Sequence, residues 1–372
     1  MNRKEVMDFH IEEIKKKQTI LIGGKKMKKL LLLFVVCILA LSLVACGGQE
    51  TPPPVSNDTE GPADETPAEE PRAPQDLVMG TGSSGGTYFA LGGAMSNAMN
   101  KAMEEQQITV TAQASGASVE NMNLINAGEM DLGMAMNNVA ANAFAGTGAF
   151  SEPVTNVSSI GVVYNEVYQI VANAKTGAKN VEDLKGLTVA VGPAGSGTVG
   201  LTEKVLAAAG LDIDSDIKRQ SDSFGDAATK MQDGHIDAAC NVLAVPASSI
   251  IEMSTVMDLA YVDISDEILA AIQADEPYFV RKVIPAGTYK DQAEDNNTIT
   301  CKAAMYCRAD LDEETVYQIT KAMYETGDTV AAAHATGKEI QLEGALEGIT
   351  TPIHPGAAKY YQEMGIEVPD NN

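Results

Sequence analysis

The chain has 372 residues, with 51 acidic against 26 basic side chains, a net charge of −25, five cysteines and no tryptophan. Such a charge balance argues against a nucleic-acid binder, which needs a basic footprint. The length allows two lobes of ordinary domain size, each with a core of its own.

Residues Leu30 to Ala45 form an apolar run broken only by Ser42, preceded by Lys25, Lys26, Lys28 and Lys29 and ending in Leu43-Val44-Ala45-Cys46. A basic flank, an apolar stretch short for a membrane span and a small-residue ending make residues 1–45 a secretory signal peptide. Met27 opens a leader of ordinary length and is an alternative start. The ending resembles the bacterial lipobox, which implies that Cys46 is lipidated and becomes the first residue of the mature chain. Residues 47–76 hold seven prolines and eight carboxylates against Arg72 alone. That composition cannot bury a core, so residues 46–76 are expected to form a disordered, lipid-anchored tether reaching on the order of 30 Å as a flexible coil. Without residues 1–45 the exported chain keeps 17 basic and 47 acidic residues, a net charge of −30.

The body opens with the run Leu77 to Met79, followed by the glycine-rich loop TGSSGGTYFALGG from Thr81. Strands are predicted near Ile108 to Ala112 and Leu132 to Met136, with a helix near Ser118 to Ala127 between them. A long extended stretch, Ile160 to Ala174, leads into a second series. There a helix at Val181 to Leu184 and a strand at Leu187 to Val191 precede the loop GPAGSGTVG from Gly192, followed by helices at Thr198 to Ala209 and Phe224 to Gln232 and a strand near Ala238 to Leu243. Alternating strands and helices predict an α/β fold with mainly parallel pairing. The restart of strand, glycine loop and helix predicts two similarly built lobes. Val283 to Arg308 is expected to return the chain to the first lobe.

Each glycine loop lies between a strand and a helix, where the unpaired N–H groups of the first helical turn favour an anion. Both loops also fit G-x-G-x-x-G, through Gly80, Gly82 and Gly85 and through Gly195, Gly197 and Gly200. The strand after the first loop ends in Gln113, Ala114 and Ser115, without the acidic residue a ribose needs. Neither loop ends in G-K-[ST], so no nucleotide cofactor is expected. The first loop spells G-x-S-x-G around Ser84, the nucleophile elbow of serine hydrolases. The downstream histidines are His235, His334 and His354; His235 lies in the turn-like DGHID and His354 in the proline-bounded TPIHPG, so an enzyme is not expected. Asp212, Asp214 and Asp216 start like a calcium loop, but Ile217 stands where its glycine belongs and Ser223 where its final glutamate does. No C-x-x-C or paired-histidine pattern suggests another metal. If TITCKAAMYC is one strand, Cys301 and Cys307 share a face but stand roughly 20 Å apart, beyond disulfide reach.

The segments GTGSSGGTYFALGG, ASGASVENMNLINAGEMDLGMAMN, GPAGSGT, DGHIDA at Asp233, IPAGTYKDQAED at Ile284 and TPIHPGAAKYYQEMG at Thr351 resemble, in order and spacing, the TAXI family of solute receptors for tripartite ATP-independent periplasmic (TRAP) transporters. Phe89, Ala117 and Ala244 depart from it, standing where the family often has tyrosine, glycine and glycine. The resemblance implies a type II periplasmic-binding-protein fold, two α/β lobes with a ligand cleft between them. It also implies that a small solute is passed to an integral membrane TRAP permease driven by an ion gradient. The lobes are expected at 77–165 with 286–372, and at 166–285.

Carried onto this chain, the motifs nominate Thr81, Ser83, Ser84, Gly85, Gly86, Thr87 and Tyr88 in the first loop and Gly195, Ser196, Gly197 and Thr198 in the second. Any serine or threonine there also suits a helix cap. Ser115, Ser118 and Asn121 at the next strand-to-helix junction, with Asn137 after the third strand, could face the cleft beyond the strand ends. Tyr164 and Tyr168 lie on the crossing segment, where a tyrosine either meets solute or packs. Met95, Met99 and Met103, at helical spacing, are expected in the core. The solute is expected to be a small carboxylate, dicarboxylate-like or glutamate-like, held without an obligatory arginine. The mature chain has only Arg72, Arg219, Arg281 and Arg308, none of them in either loop. An exported hydrolase using Ser84, or a solute sensor or scaffold without transport, is the alternative.

Overall fold

The computed structural model describes residues 73–370. The signal peptide, Cys46 and most of the tether lie outside the described residues, and among those described no helix is long and apolar enough to cross a membrane. Strand β1 (Gln75–Gly80) begins inside the stretch assigned to the tether. It leads through the first glycine loop into helix α1 (Thr87–Ala102), whose residues Leu91, Met95 and Met99 recur at four-residue spacing and are fully buried. Met103 follows them into the same core, as the helical spacing predicts.

The chain continues through β2 (Ile108–Gln113), α2 (Ser118–Asn126), β3 (Leu132–Met136), α3 (Asn137–Ala145) and the long strand β4 (Ser158–Asn173). The second series is β5 (Thr188–Ala190), α4 (Gly197–Ala208), β6 (Lys218–Gln220), α5 (Phe224–Gln232) and β7 (Ala238–Leu243). Next come α6 (Ser248–Val256), β8 (Leu259–Val262), α7 (Asp266–Gln273) and β9 (Val280–Ile284). The long strand β10 (Asn296–Cys307) then precedes α8 (Glu313–Glu325), α9 (Gly327–Ala333) and α10 (Pro355–Glu363). Val181–Leu184, expected as a helix, is a single 3-10 turn closed by the reciprocal Asn180 and Asp183 side-chain caps.

One mixed sheet runs in the order β2-β1-β3-β10-β4-β7-β5-β6. It contains the same unit twice. In the first half β1 pairs in parallel with β2 and β3, and antiparallel β10 closes on β3. In the second, β5 pairs in parallel with β6 and β7, and antiparallel β4 closes on β7. Strands β4 and β10 belong to both halves: β10 pairs with β9 over Asn296–Thr300 and with β3 over Ala303–Cys307. Where the two long strands run together, their register slips between Ala303 and Ala304 and again between Met305 and Tyr306.

The extra residues at these slips, Val163 and Ile160, lie in β4, while β10 keeps unbroken pairing with β3 over Ala303–Cys307. The thiols of Cys301 and Cys307 lie in different core clusters. Both are buried and free, as is Cys240. One core lies beneath α1, α8 and α10, a second joins α2 and α3 to α4 and α7, and a third lies beneath α5 and α6. The second core spans both halves, so apolar burial as well as the strands connects them.

Candidate functional site

The first turns of α1 and α4 come from opposite halves and converge on one cavity of about 20 Å³. Neither helix has a side-chain hydrogen bond from its N-cap residue, Gly86 or Ser196. Backbone N–H groups of a first turn have no partner within their own helix, so both ends offer donors. Close approach is built in through glycine. A Cβ on Gly197 would lie 2.4 Å from the Met136 sulfur, and one on Gly85, whose φ is +77°, would lie 2.5 Å from the Gly225 nitrogen.

Of the residues nominated from sequence, Ser83, Gly86, Thr87, Tyr88, Ser118, Tyr164, Ser196, Gly197 and Thr198 line this cavity. The Ser83 hydroxyl is buried and has no hydrogen-bond partner. The Ser196 hydroxyl donates to the Pro193 carbonyl at 2.7 Å, and the Ser118 hydroxyl accepts from the Met136 N–H at 3.1 Å.

The other nominees are placed elsewhere. Thr81 donates to the Gln113 carbonyl at 2.7 Å. Asn121, fully buried, donates to the Thr81 and Met134 carbonyls at 2.8 Å each and accepts from Ser115 at 2.7 Å, pinning the first loop to the sheet. Asn137 donates to Gly348 and accepts from the Lys302 N–H. Tyr168 points into a different core from Tyr164, with its hydroxyl on Thr202 at 2.9 Å.

Ser84, Gly85 and Gly195 lie at the seam between the halves. The Gly225 N–H donates to the Ser84 carbonyl at 3.1 Å, and the Ala244 N–H donates to the Thr87 hydroxyl at 3.0 Å. The Gly195 carbonyl accepts from the N–H groups of Val119 and Glu120 at 3.0 and 3.1 Å, so one half caps a helix of the other. Ser84 Oγ donates to Ser223 Oγ at 3.4 Å. The His354 ring is committed to capping α10, accepting from the Gly356 N–H at 3.1 Å.

Glu166, Phe224, Met136, Val242 and Leu243, missed from sequence, also line the cavity, as does Gly82. Glu166 is 3% exposed; its Oε2 accepts from the Tyr88 hydroxyl at 2.7 Å and its Oε1 from the Tyr164 hydroxyl at 3.2 Å. The two rings meet edge to face, with centroids 6.1 Å apart. Burial pushes the Glu166 carboxyl up to about 8, outweighing the two hydroxyl donors that pull it down. Burial holds both tyrosines well above the ordinary phenol range. The available signal was an acid inside the apolar run Ile160 to Ala174, flanked at two residues on either side by Tyr164 and Tyr168.

Ala117, which also lines the cavity, holds φ +77°. The family that the sequence resembles often has glycine there, and only glycine adopts this conformation freely. A wider cavity of about 670 Å³ opens on the other side of Ser196 and Gly197, against Asn138, Asn142 and Lys204. The uncapped ends of α1 and α4 and the buried acid meet at the smaller one, which is therefore the candidate site.

Several solved structures resemble the chain at low identity. The periplasmic aliphatic sulphonate binding protein SsuA from Escherichia coli matches with a TM-score of 0.43 and 18% identity, over 78% of this chain and 84% of that one. A binding protein component of an ABC phosphonate transporter from Pseudomonas aeruginosa gives 0.44 and 12%, over 72% and 81%. An ancestral arginine-binding protein bound to arginine gives 0.40 and 16%, over 71% and 96%. In sequence, residues 79–365 match the model of the NMT1-like family. That span runs from β1 to just beyond α10 and takes in both glycine loops, and the chain belongs to the NMT1-like family.

Proposed function

We propose that the protein is an extracytoplasmic solute receptor that captures a small carboxylate between its two halves and delivers it to an integral membrane TRAP permease. The observation that carries this reading is the convergence of two helix N-termini from opposite halves, both without a side-chain cap, on a cavity where the buried Ser83 hydroxyl lacks a partner. Donors fixed on two separate bodies bind an anion best when those bodies close, which makes capture and closure one event. The cavity of about 20 Å³ has room for one water-sized group. A carboxylate solute therefore enters by parting the halves about β4 and β10, and the lobes are assigned as 77–165 with 286–372 and as 166–285.

The motifs shared with TAXI receptors support the permease as partner, and the lipobox-like ending at Cys46 supports a lipid anchor on the bacterial cell membrane. The residues assigned to solute are Ser83, Gly86, Thr87, Tyr88, Tyr164, Gly197 and Thr198, with the seam residues Ser84, Gly85 and Gly195 acting in closure. No catalytic role is assigned to Ser84, whose hydroxyl is engaged by Ser223.

Calorimetry of the mature protein against amino acids, dicarboxylates, sugars and cations tests the reading. Binding of a carboxylate is expected, and Ser83→Ala and Thr198→Ala are each expected to weaken it about tenfold, equivalent to roughly 1.4 kcal/mol. Tight binding of only a neutral sugar or a cation would remove the anion clamp.

A further inference from the structure

We infer that Glu166 stands in the site as an uncharged acid whose O–H donates to the solute, so that the protein selects an anion carrying no ammonium group. The inference rests on the receptor reading and sharpens it by naming the solute class. A buried carboxylate stays ionised when a cation or enough donors compensate it. None of the cavity-lining residues is a lysine, arginine or histidine. The titratable groups that interact with Glu166 are Tyr88 on α1, Tyr164 on its own strand, and Cys301 and Tyr306 on β10. All four are held neutral, since burial raises each above its ordinary value. The cation beside Cys301, Lys302, is bonded to Asn165 at 2.9 Å and to Glu347 at 2.8 Å. From the second half, Ser196, Gly197, Thr198, Phe224, Val242 and Leu243 face the cavity without any charge.

Burial accordingly dominates and pushes the Glu166 carboxyl up to about 8, leaving it protonated at neutral pH. In that state the two tyrosine hydroxyls fill acceptor sites on its oxygens, and its own O–H remains to be placed. Together with the unpartnered Ser83 hydroxyl and the two helix ends, this makes a cavity dominated by donors. A carboxylate satisfies such donors; an ammonium group, itself a donor, needs the ionised form of Glu166 as its acceptor. The two solute classes therefore couple to the proton with opposite signs.

Calorimetry of the mature protein with glutarate and with glutamate, a pair differing by one ammonium group, separates them. Glutarate is expected to bind more tightly than glutamate, and its affinity to fall roughly tenfold between pH 7 and pH 9 as Glu166 ionises. Titrations at pH 8.5 in buffers of different ionisation enthalpy are expected to show net proton uptake by the wild-type protein, a readout that needs no variant. Glu166→Gln, which keeps a neutral donor, is expected to retain glutarate binding and lose the pH dependence. Preference for glutamate, affinity rising with pH, proton release on binding, or loss of glutarate binding in folded Glu166→Gln would each overturn the inference while leaving the receptor reading intact. Failure of the folded wild-type protein to bind either compound, or any other small carboxylate, would remove both.

Discussion

Glu166 and Glu276 are buried to the same depth, 3% and 4% exposed, yet they are compensated in different ways. Glu276 follows α7 and is held by three donors: Asn138 Nδ2 at 3.0 Å, Asn142 Nδ2 at 2.9 Å and Lys204 Nζ at 3.0 Å. The amides come from α3 and the lysine from α4, so this carboxylate bonds helices of both halves and has its charge matched locally. Glu166 receives two phenolic hydroxyls and no cation. A buried acid with a cation and a full set of donors acts as a structural tie. A buried acid compensated by hydroxyls alone keeps its proton and remains available to a ligand.

Breaking the tie should have the largest effect. Glu276→Ala strands two amide donors and a lysine head group, and urea denaturation is expected to show a loss of about 3 kcal/mol. A loss under about 1 kcal/mol would mean that the three donors find water at no cost. The next effect is the dependence of stability on pH at Glu166. Its folded-state pKa, about 8, lies above the ordinary glutamate value of 4.5, so the native state binds this proton more tightly than the unfolded chain. The contribution is fully present below about 4.5 and is lost as pH rises through about 8. Glu166→Gln should flatten that decline, and an unchanged profile would show that the acid is already ionised in the native protein.

Removing only the cation tests which donors matter to the tie. Lys204→Met leaves Glu276 with its two amides, and because Lys204 is 41% exposed the expected cost is only about 1 kcal/mol. A cost as large as that of Glu276→Ala would place the burden on the lysine instead. The smallest effect on folding belongs to Ser83→Ala. Its hydroxyl has no partner to lose, so unfolding should shift by less than about 0.5 kcal/mol while solute binding weakens.

The glycine loops could be read from sequence because their meaning is local. A strand, a cluster of Gly, Ser and Thr and then a helical pattern define a helix N-terminus wherever they occur. That logic found Ser83, Thr87, Gly197 and Thr198, all of which line the cavity. It could not distinguish Ser118, which faces the cavity, from Asn121, whose side chain is consumed by the Thr81 and Met134 carbonyls. Both are polar residues at one strand-to-helix junction, and only the packing of β1 beside β3 separates their roles. Glu166 was missed because its surroundings are assembled from distant segments: Tyr88 lies 78 positions earlier and Cys301 is its neighbour only across the β4–β10 pairing. The repeat of strand, glycine loop and helix was legible from the spacing of the two loops; the order of strands in the sheet was not. Nor were the slips between β4 and β10, since bulge positions depend on how two long strands match along their length.

The Gly195 carbonyl that accepts from Val119 and Glu120 makes these two amides reporters of the seam. Both begin α2, where a first-turn N–H has no partner inside its own helix. Each time the seam parts they return to water, and they become protected again when it closes. Deuterium uptake at Val119 and Glu120 therefore measures how often the seam parts in the free protein, and slowing on addition of a carboxylate is the change expected if the proposed capture by closure holds.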